Sequence, residues 1–83
     1  MDSANRANRA KLAWRCRRGM RELDVVLMRY LERDFDAAEA AEQASFELLL
    51  SLQDPDIYDL LTGRITADDP GVQHVVERLS SDA

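Results

Sequence analysis

Apolar residues recur at intervals of three and four along the whole chain, with no sustained strand-like alternation. A chain patterned this way hides its apolar side chains by packing helices against one another. At 83 residues there is room for one domain and one core. A chain of that size buries only about 60% of the surface it exposes when unfolded. An enclosed substrate cavity would take a large share of so small a core. The expected fold is therefore all-α, a compact single-domain bundle of about five helices over residues 1–83, with flexible ends at 1–7 and 80–83.

The same spacing sets the helices. A first runs from about Ser3 or Ala7 to Arg17, with Ala7, Ala10 and Trp14 on its inner side, and Gly19 stops it. A second covers about Met20 to Arg33, with Leu23, Val26, Leu27, Tyr30 and Leu31 as its buried stripe. A third covers about Asp36 to Leu52. Asp36 is its N-cap, Glu39 completes a loose capping box, and Ala41, Ala44, Ser45, Leu48, Leu49 and Leu52 face inward. A short fourth helix opens on Asp54 as cap and Pro55 at the first helical position; Ile57, Leu60 and Leu61 point inward and Gly63 ends it. The fifth repeats the device with Asp69 and Pro70, and buries Val72, Val75, Val76 and Leu79.

Apolar residues at 46% and charged residues at 33% place the chain among ordinary globular proteins rather than disordered ones. No apolar run approaches the roughly 20 residues that span a bilayer, so no membrane insertion is expected. No secretory signal pattern opens the chain. The Arg-rich, acid-poor start faintly resembles a mitochondrial leader, but it runs without a break into the motif discussed below. The expected setting is the bacterial cytoplasm. Cys16 is the lone cysteine, so no internal disulfide forms. It reads as a small residue on a helix, although Arg15 and Arg17 beside it could favour a reactive thiolate.

Charge is divided unevenly. Residues 1–21 carry Arg6, Arg9, Lys11, Arg15, Arg17, Arg18 and Arg21 against Asp2, a net of +6; residues 22–83 carry a net of −11, for −5 overall. A dipolar chain of this kind steers toward an oppositely patterned surface.

Catalytic and ligand-binding patterns are nearly missing. His74 is the one histidine, beside Val75 and Val76, and reads as a residue at the core edge or in solvent. One cysteine and one histidine far apart give weak grounds for a metal site. Gly19, Gly63 and Gly71 are too scattered for a phosphate or dinucleotide loop, so no cofactor is expected to bind the chain stably. Ser45 and Ser51 have no base in view. The pairs Asp54 with Asp56 and Asp68 with Asp69 are helix-start residues favoured by the dipole.

What remains is the segment from Trp14 to Asp24. Its plain reading is a helix, a turn and a second helix with solvated charges, in which Arg18 and Glu22 form an i, i+4 pair. Basic before acidic is the weaker order for such a pair. Contact with another protein accounts for these residues better. Arginine offers a planar fork, Glu22 the opposite charge, and Gly19 a gap through which a partner's backbone can approach. Met20 is an adaptable apolar contact and Trp14 a candidate anchor.

Arg18-Gly19-Met20-Arg21-Glu22 resembles the Arg-Gly-x-x-Glu signature of the succinate dehydrogenase flavinylation and assembly factors of the SdhE type. The run from Trp14 to Asp24 resembles their bacterial members closely. Asp54-Pro55-Asp56-Ile57-Tyr58-Asp59-Leu60-Leu61 is similar to that family's acidic-aromatic segment opening helix four. The resemblance covers about residues 8–80. The basic stretch through Arg9 and the short tail after Leu79 depart from it. It implies a chaperone-like assembly factor, not an enzyme. Such a factor binds the flavoprotein subunit of succinate dehydrogenase, or of fumarate reductase, and promotes covalent attachment of FAD to a histidine there. By position, Arg18, Gly19 and Glu22 form the essential contact, supported by Arg17, Met20, Arg21 and Trp14.

Two other readings stay open at this point. The basic residues 6–21 could face nucleic acid, against which stand the acidic pI of about 4.7 and the acids after residue 21. Relatives have also been described as antitoxins, which is again a protein-binding role. The free chain is expected to be a monomer, although Val25 and Met28 on an outer face would permit self-association.

Overall fold

The computed structural model describes the backbone of residues 2–81, with side chains over 9–80. The described backbone forms five helices in chain order: α1 (Asp2–Arg15), α2 (Arg21–Arg33), α3 (Ala40–Leu50), α4 (Asp54–Leu61) and α5 (Pro70–Ser81). The all-α bundle expected from the spacing is the fold observed. Of the ends expected to be flexible, Met1, Asp82 and Ala83 lie outside the described residues, and the backbone of 2–7 is helical.

α2 and α5 follow their apolar stripes closely. Leu23, Leu27, Tyr30 and Leu31 are buried on α2, and Val72, Val75, Val76 and Leu79 on α5. Asp69 caps α5 as its position before Pro70 suggests: its Oδ1 accepts the Gly71 N–H at 2.7 Å and the Val72 N–H at 3.2 Å. α3 lies along α5 in the most extensive helix contact, while α4 packs on α5 and α2 on both. Gly71 permits the close approach of α5 to α3, since a Cβ there would stand 2.4 Å from Ser45 Oγ.

Two helices bury a different side from the one their small residues suggest. On α1, Ala10 is exposed and Trp14 is 74% exposed, whereas Leu12, and Cys16 just past the helix end, enter the core. The i, i+4 pair of a leucine and a cysteine outweighs an alanine stripe in transferable apolar area. The side chain of Ala7 lies outside the described ones. On α3, the buried residues are Phe46, Leu49 and Leu50, while Ala41 and Ala44 are exposed, Ser45 and Leu52 are half-buried and Leu48 is 51% exposed. Phe46 sets this phase. Its ring packs in tilted contact with Tyr30 at 4.5 Å and with Phe35 at 5.7 Å between centroids, a geometry favourable to aromatic pairs.

The helix starts differ as well. α3 begins at Ala40, with Glu39 at its N-cap and no side-chain cap bond. Asp36, expected as its cap, instead forms an ion pair with Arg9 of α1. Backbone bonds from Asp34 and Phe35 back to Tyr30, and from Ala38 to Phe35, shape residues 34–38 into turns and a bend instead. α4 takes Gln53 as its N-cap, and Asp54 is the first helical residue.

The Asp69 cap yields a direct expectation. Asp69→Ala removes the acceptor for two first-turn N–H groups and destabilises the fold by about 1 kcal/mol. Thermal melting then shifts down by about 4–8 °C, whereas alanine at exposed Asp68 leaves the midpoint near that of the parent chain.

Candidate functional site

The segment from Trp14 to Asp24 folds as the last turn of α1, a tight reversal and the first turn of α2. Gly19 makes the reversal with φ +84°, in the left-handed region that favours glycine. Met20 follows in extended geometry as the N-cap of α2 and packs half-buried against the core. A Cβ on Gly19 would meet no atom within 4 Å, so the turn opens to solvent. Arg17, Gly19, Arg21 and Glu22 are exposed along with Trp14. Glu22 sits in the first turn of α2, where the helix dipole favours its charge.

Arg18 behaves otherwise. Only 17% of its side chain is exposed, and it does not continue α2, so it is not in helical register with Glu22. Its Nε–H donates to Asp54 Oδ1 at 2.8 Å. Its Nη1 donates to the Leu50 carbonyl at 2.9 Å and to the Arg15 carbonyl at 3.1 Å, and its Nη2 to the Leu52 carbonyl. The Leu50 and Leu52 carbonyls lie at and just past the C-terminal end of α3, whose last turn holds no cation of its own. A helix ends with carbonyls that lack intrahelical partners and with partial negative charge. Arg18 supplies both the hydrogen bonds and the positive charge from a different helix pair. Arg15 adds a bond from Nη2 to the Glu47 carbonyl at 3.0 Å. The main chain is held too: Asp24 Oδ1 accepts the Arg18 N–H at 2.6 Å.

The structure thus leaves Trp14, Arg17, Gly19, Arg21 and Glu22 accessible, half-buries Met20, and turns Arg18 inward. Asp24, Asp54 and the Arg15 guanidinium join the site in roles that their positions in the sequence do not announce. The lack of a cation in the last turn of α3 was the one sequence signal pointing to an outside donor.

Other candidates resolve simply. Cys16 is fully buried, and burial pushes its thiol up to about 11 despite the opposing charges of Arg18 and Arg15. It is a core residue, not an activated nucleophile. His74 lies largely exposed with Nε2 3.1 Å from Glu42 Oε1. Glu42 also accepts the Tyr30 hydroxyl at 2.5 Å and faces Arg78 Nε at 3.4 Å. Burial, with this hydrogen bond second, pushes the Tyr30 phenol upward. The cluster ties α2, α3 and α5 together. Among the described residues, no group of three or more His, Cys, Asp or Glu side chains gathers as metal ligands would, and no helix is long and apolar enough to cross a membrane.

Comparison with known proteins gives a consistent result. The family described as "Flavinator of succinate dehydrogenase" matches residues 10–83. The FAD assembly factor SdhE of Methylococcus capsulatus is 41% identical over 73 residues, covering 88% of each chain. The protein of that name from a Serratia strain is 35% identical over 89% of this chain and 84% of its own. That of Vibrio parahaemolyticus is 39% identical over 86% and 83%.

The buried thiol sets a further expectation. At pH 8 a thiol reagent labels Cys16 only as fast as the fold opens. The unfolded thiol ionises near 9 and the folded one near 11, so below 9 this contribution to stability is fully present. Denaturation midpoints then fall as pH rises from about 9 toward 11, by a stability loss bounded at about 3 kcal/mol.

Proposed function

The chain belongs to the family of flavinators of succinate dehydrogenase, and from that premise we propose that it binds the flavoprotein subunit of succinate dehydrogenase and promotes covalent attachment of FAD to it. The observation that carries this reading is the exposed Gly19 turn. Its Cβ position is open, and Arg17, Arg21, Glu22 and Trp14 stand exposed on its flanks. A concentration of arginine, tryptophan and one carboxylate around a bare backbone suits a protein partner.

In this reading FAD and the histidine it joins both belong to the client, and the chain is a chaperone rather than an enzyme. Its residues bind and orient. Holding a nucleophile and its target in productive geometry lowers a barrier by several kcal/mol without any catalytic group from the holder. The flavoprotein subunit of fumarate reductase offers the same chemistry and is the second client we propose. The factor works in the cytoplasm and is monomeric when free.

The nucleic-acid alternative loses support from the same geometry. Arg9 bonds Asp36 and the Leu31 carbonyl, Arg15 bonds the Glu47 carbonyl, and Arg18 is held at the end of α3. Much of the basic segment is therefore engaged within the fold rather than arrayed for phosphates. An antitoxin role gains no specific support.

The test is covalent FAD on purified client, read by flavin fluorescence after denaturing electrophoresis. Glu22→Ala lowers it by about tenfold or more, as loss of a central interface residue does, while the chain stays folded and its melting midpoint falls by only a few degrees at most. Gly19→Asn separates two roles of the glycine, because asparagine tolerates the left-handed region. It keeps the turn but fills the approach path, so flavinylation falls. Full flavinylation with Glu22→Ala at normal expression sinks the reading.

A further inference from the structure

Two landmarks of the sequence, the Arg18-Gly19 turn and the Asp54-Pro55 start of α4, meet in space through one guanidinium. We propose that Arg18, Asp54 and Asp24 are positioning residues, which hold the Gly19 turn in its binding geometry from inside, and that Arg17 and Arg21 are the cations that touch the partner. This rests on the functional reading above and deepens it.

Donor bookkeeping supports the assignment. A guanidinium has five N–H donors. Arg18 directs four bonds to Asp54, Leu50, Arg15 and Leu52. Meeting a partner's carboxylate with a bidentate fork would require breaking part of that set in a half-buried place. Losing such bonds strands the carbonyls at the end of α3 without partners. Arg17 and Arg21, one on each side, are exposed and need no such exchange.

The held parts also define the turn. The Arg18 side chain is fastened to the α3–α4 junction, and its N–H to Asp24 on α2. Between those fixings and Met20, which packs against the core, Gly19 has left-handed backbone and no side chain to restrain it. Left untied, a glycine in a turn samples many conformations, and ordering it on binding subtracts from affinity. The buried fork removes that cost in advance. Asp54 sets the direction of the fork, because it is the one acidic group on the guanidinium among carbonyl acceptors.

The experiment compares Asp54→Asn, Asp54→Glu and Asp24→Ala with the double variant Arg17→Ala/Arg21→Ala. Backbone 15N relaxation of the free chain reports order at Gly19. Titration against the purified flavoprotein subunit of a bacterial succinate dehydrogenase, at several salt concentrations, reports Kd. Asp54→Asn is expected to lower the Gly19 order parameter and weaken Kd by about tenfold, with the salt dependence of the parent chain retained. Asp54→Glu restores both. Asp24→Ala, at a half-buried site on a helix, gives the same pattern should Asp54→Asn fail to fold. The Arg17/Arg21 double variant keeps Gly19 ordered, weakens Kd and flattens its salt dependence. Unchanged Gly19 order in folded Asp54→Asn and Asp24→Ala overturns the proposal, whatever the client does. Unchanged Kd in those variants, where Glu22→Ala weakens binding, overturns it and leaves the functional reading standing. Unchanged Kd in all of them, Glu22→Ala included, counts against the functional reading, and Gly19 order then decides positioning alone.

Discussion

The end of α3 is where this fold would fail without help. The helix stops at Leu50 with no cation in its last turn, and its last carbonyls are left without intrahelical donors. Arg18 bonds Leu50 and Leu52 there, and Arg15 bonds Glu47. Asp54, opening α4 a few residues on, balances the charge that Arg18 brings in. The α1–α2 turn and the α3–α4 turn, distant in sequence, are thereby fixed to each other. A bundle this small has few other places to hold a reversal rigid, because its core is a single cluster reached by every helix.

This arrangement changes what the basic N-terminal charge means. A net of +6 over residues 1–21 looks like a surface built for attraction. In the fold, part of it is internal hardware: Arg9 ties α1 to Asp36, and Arg15 and Arg18 satisfy helix-end carbonyls. Among the described side chains, the remaining exposed cations of this segment, Lys11, Arg17 and Arg21, lie close to Glu22 and Trp14 in sequence. Mixed charge with an aromatic favours orientation over bulk attraction, which suits recognition of one folded partner better than a phosphate backbone.

Most of the architecture was legible from spacing alone. Helix number, order and the inner faces of α2 and α5 follow from apolar periodicity, and the α5 cap from Asp69 preceding Pro70. The phases of α1 and α3 were not, because stripes of alanine carry little burial energy and yield to single large residues, Leu12 on one and Phe46 on the other. Asp36 and Asp54 show a second limit. Each has the composition of a helix cap, yet each side chain pairs with an arginine of the N-terminal segment. A carboxylate near a helix start has two uses for its charge, and only the tertiary neighbour decides between them. At the candidate site, the residue types around Gly19 were readable, but the inward turn of Arg18 depends on a partner 36 positions away.

Function in a protein of this size is then a matter of what the core can hold still. A pocket would take volume from the one apolar cluster, whereas an ordered turn on the outside takes none. The turn needs a residue that bends the chain without a side chain, which is Gly19, and anchors on either side of it. Met20 is seated against the core and Arg18 against the end of α3. In the proposed reading, chemistry that requires an enclosed, dry site is left to the client, and the small chain contributes geometry. The residue that looks most like a contact in the sequence, an arginine beside a glycine, is the one whose donors are directed inward. On the proposed assignment, rigidity at the turn and contact at its flanks are separate tasks that neighbouring arginines divide.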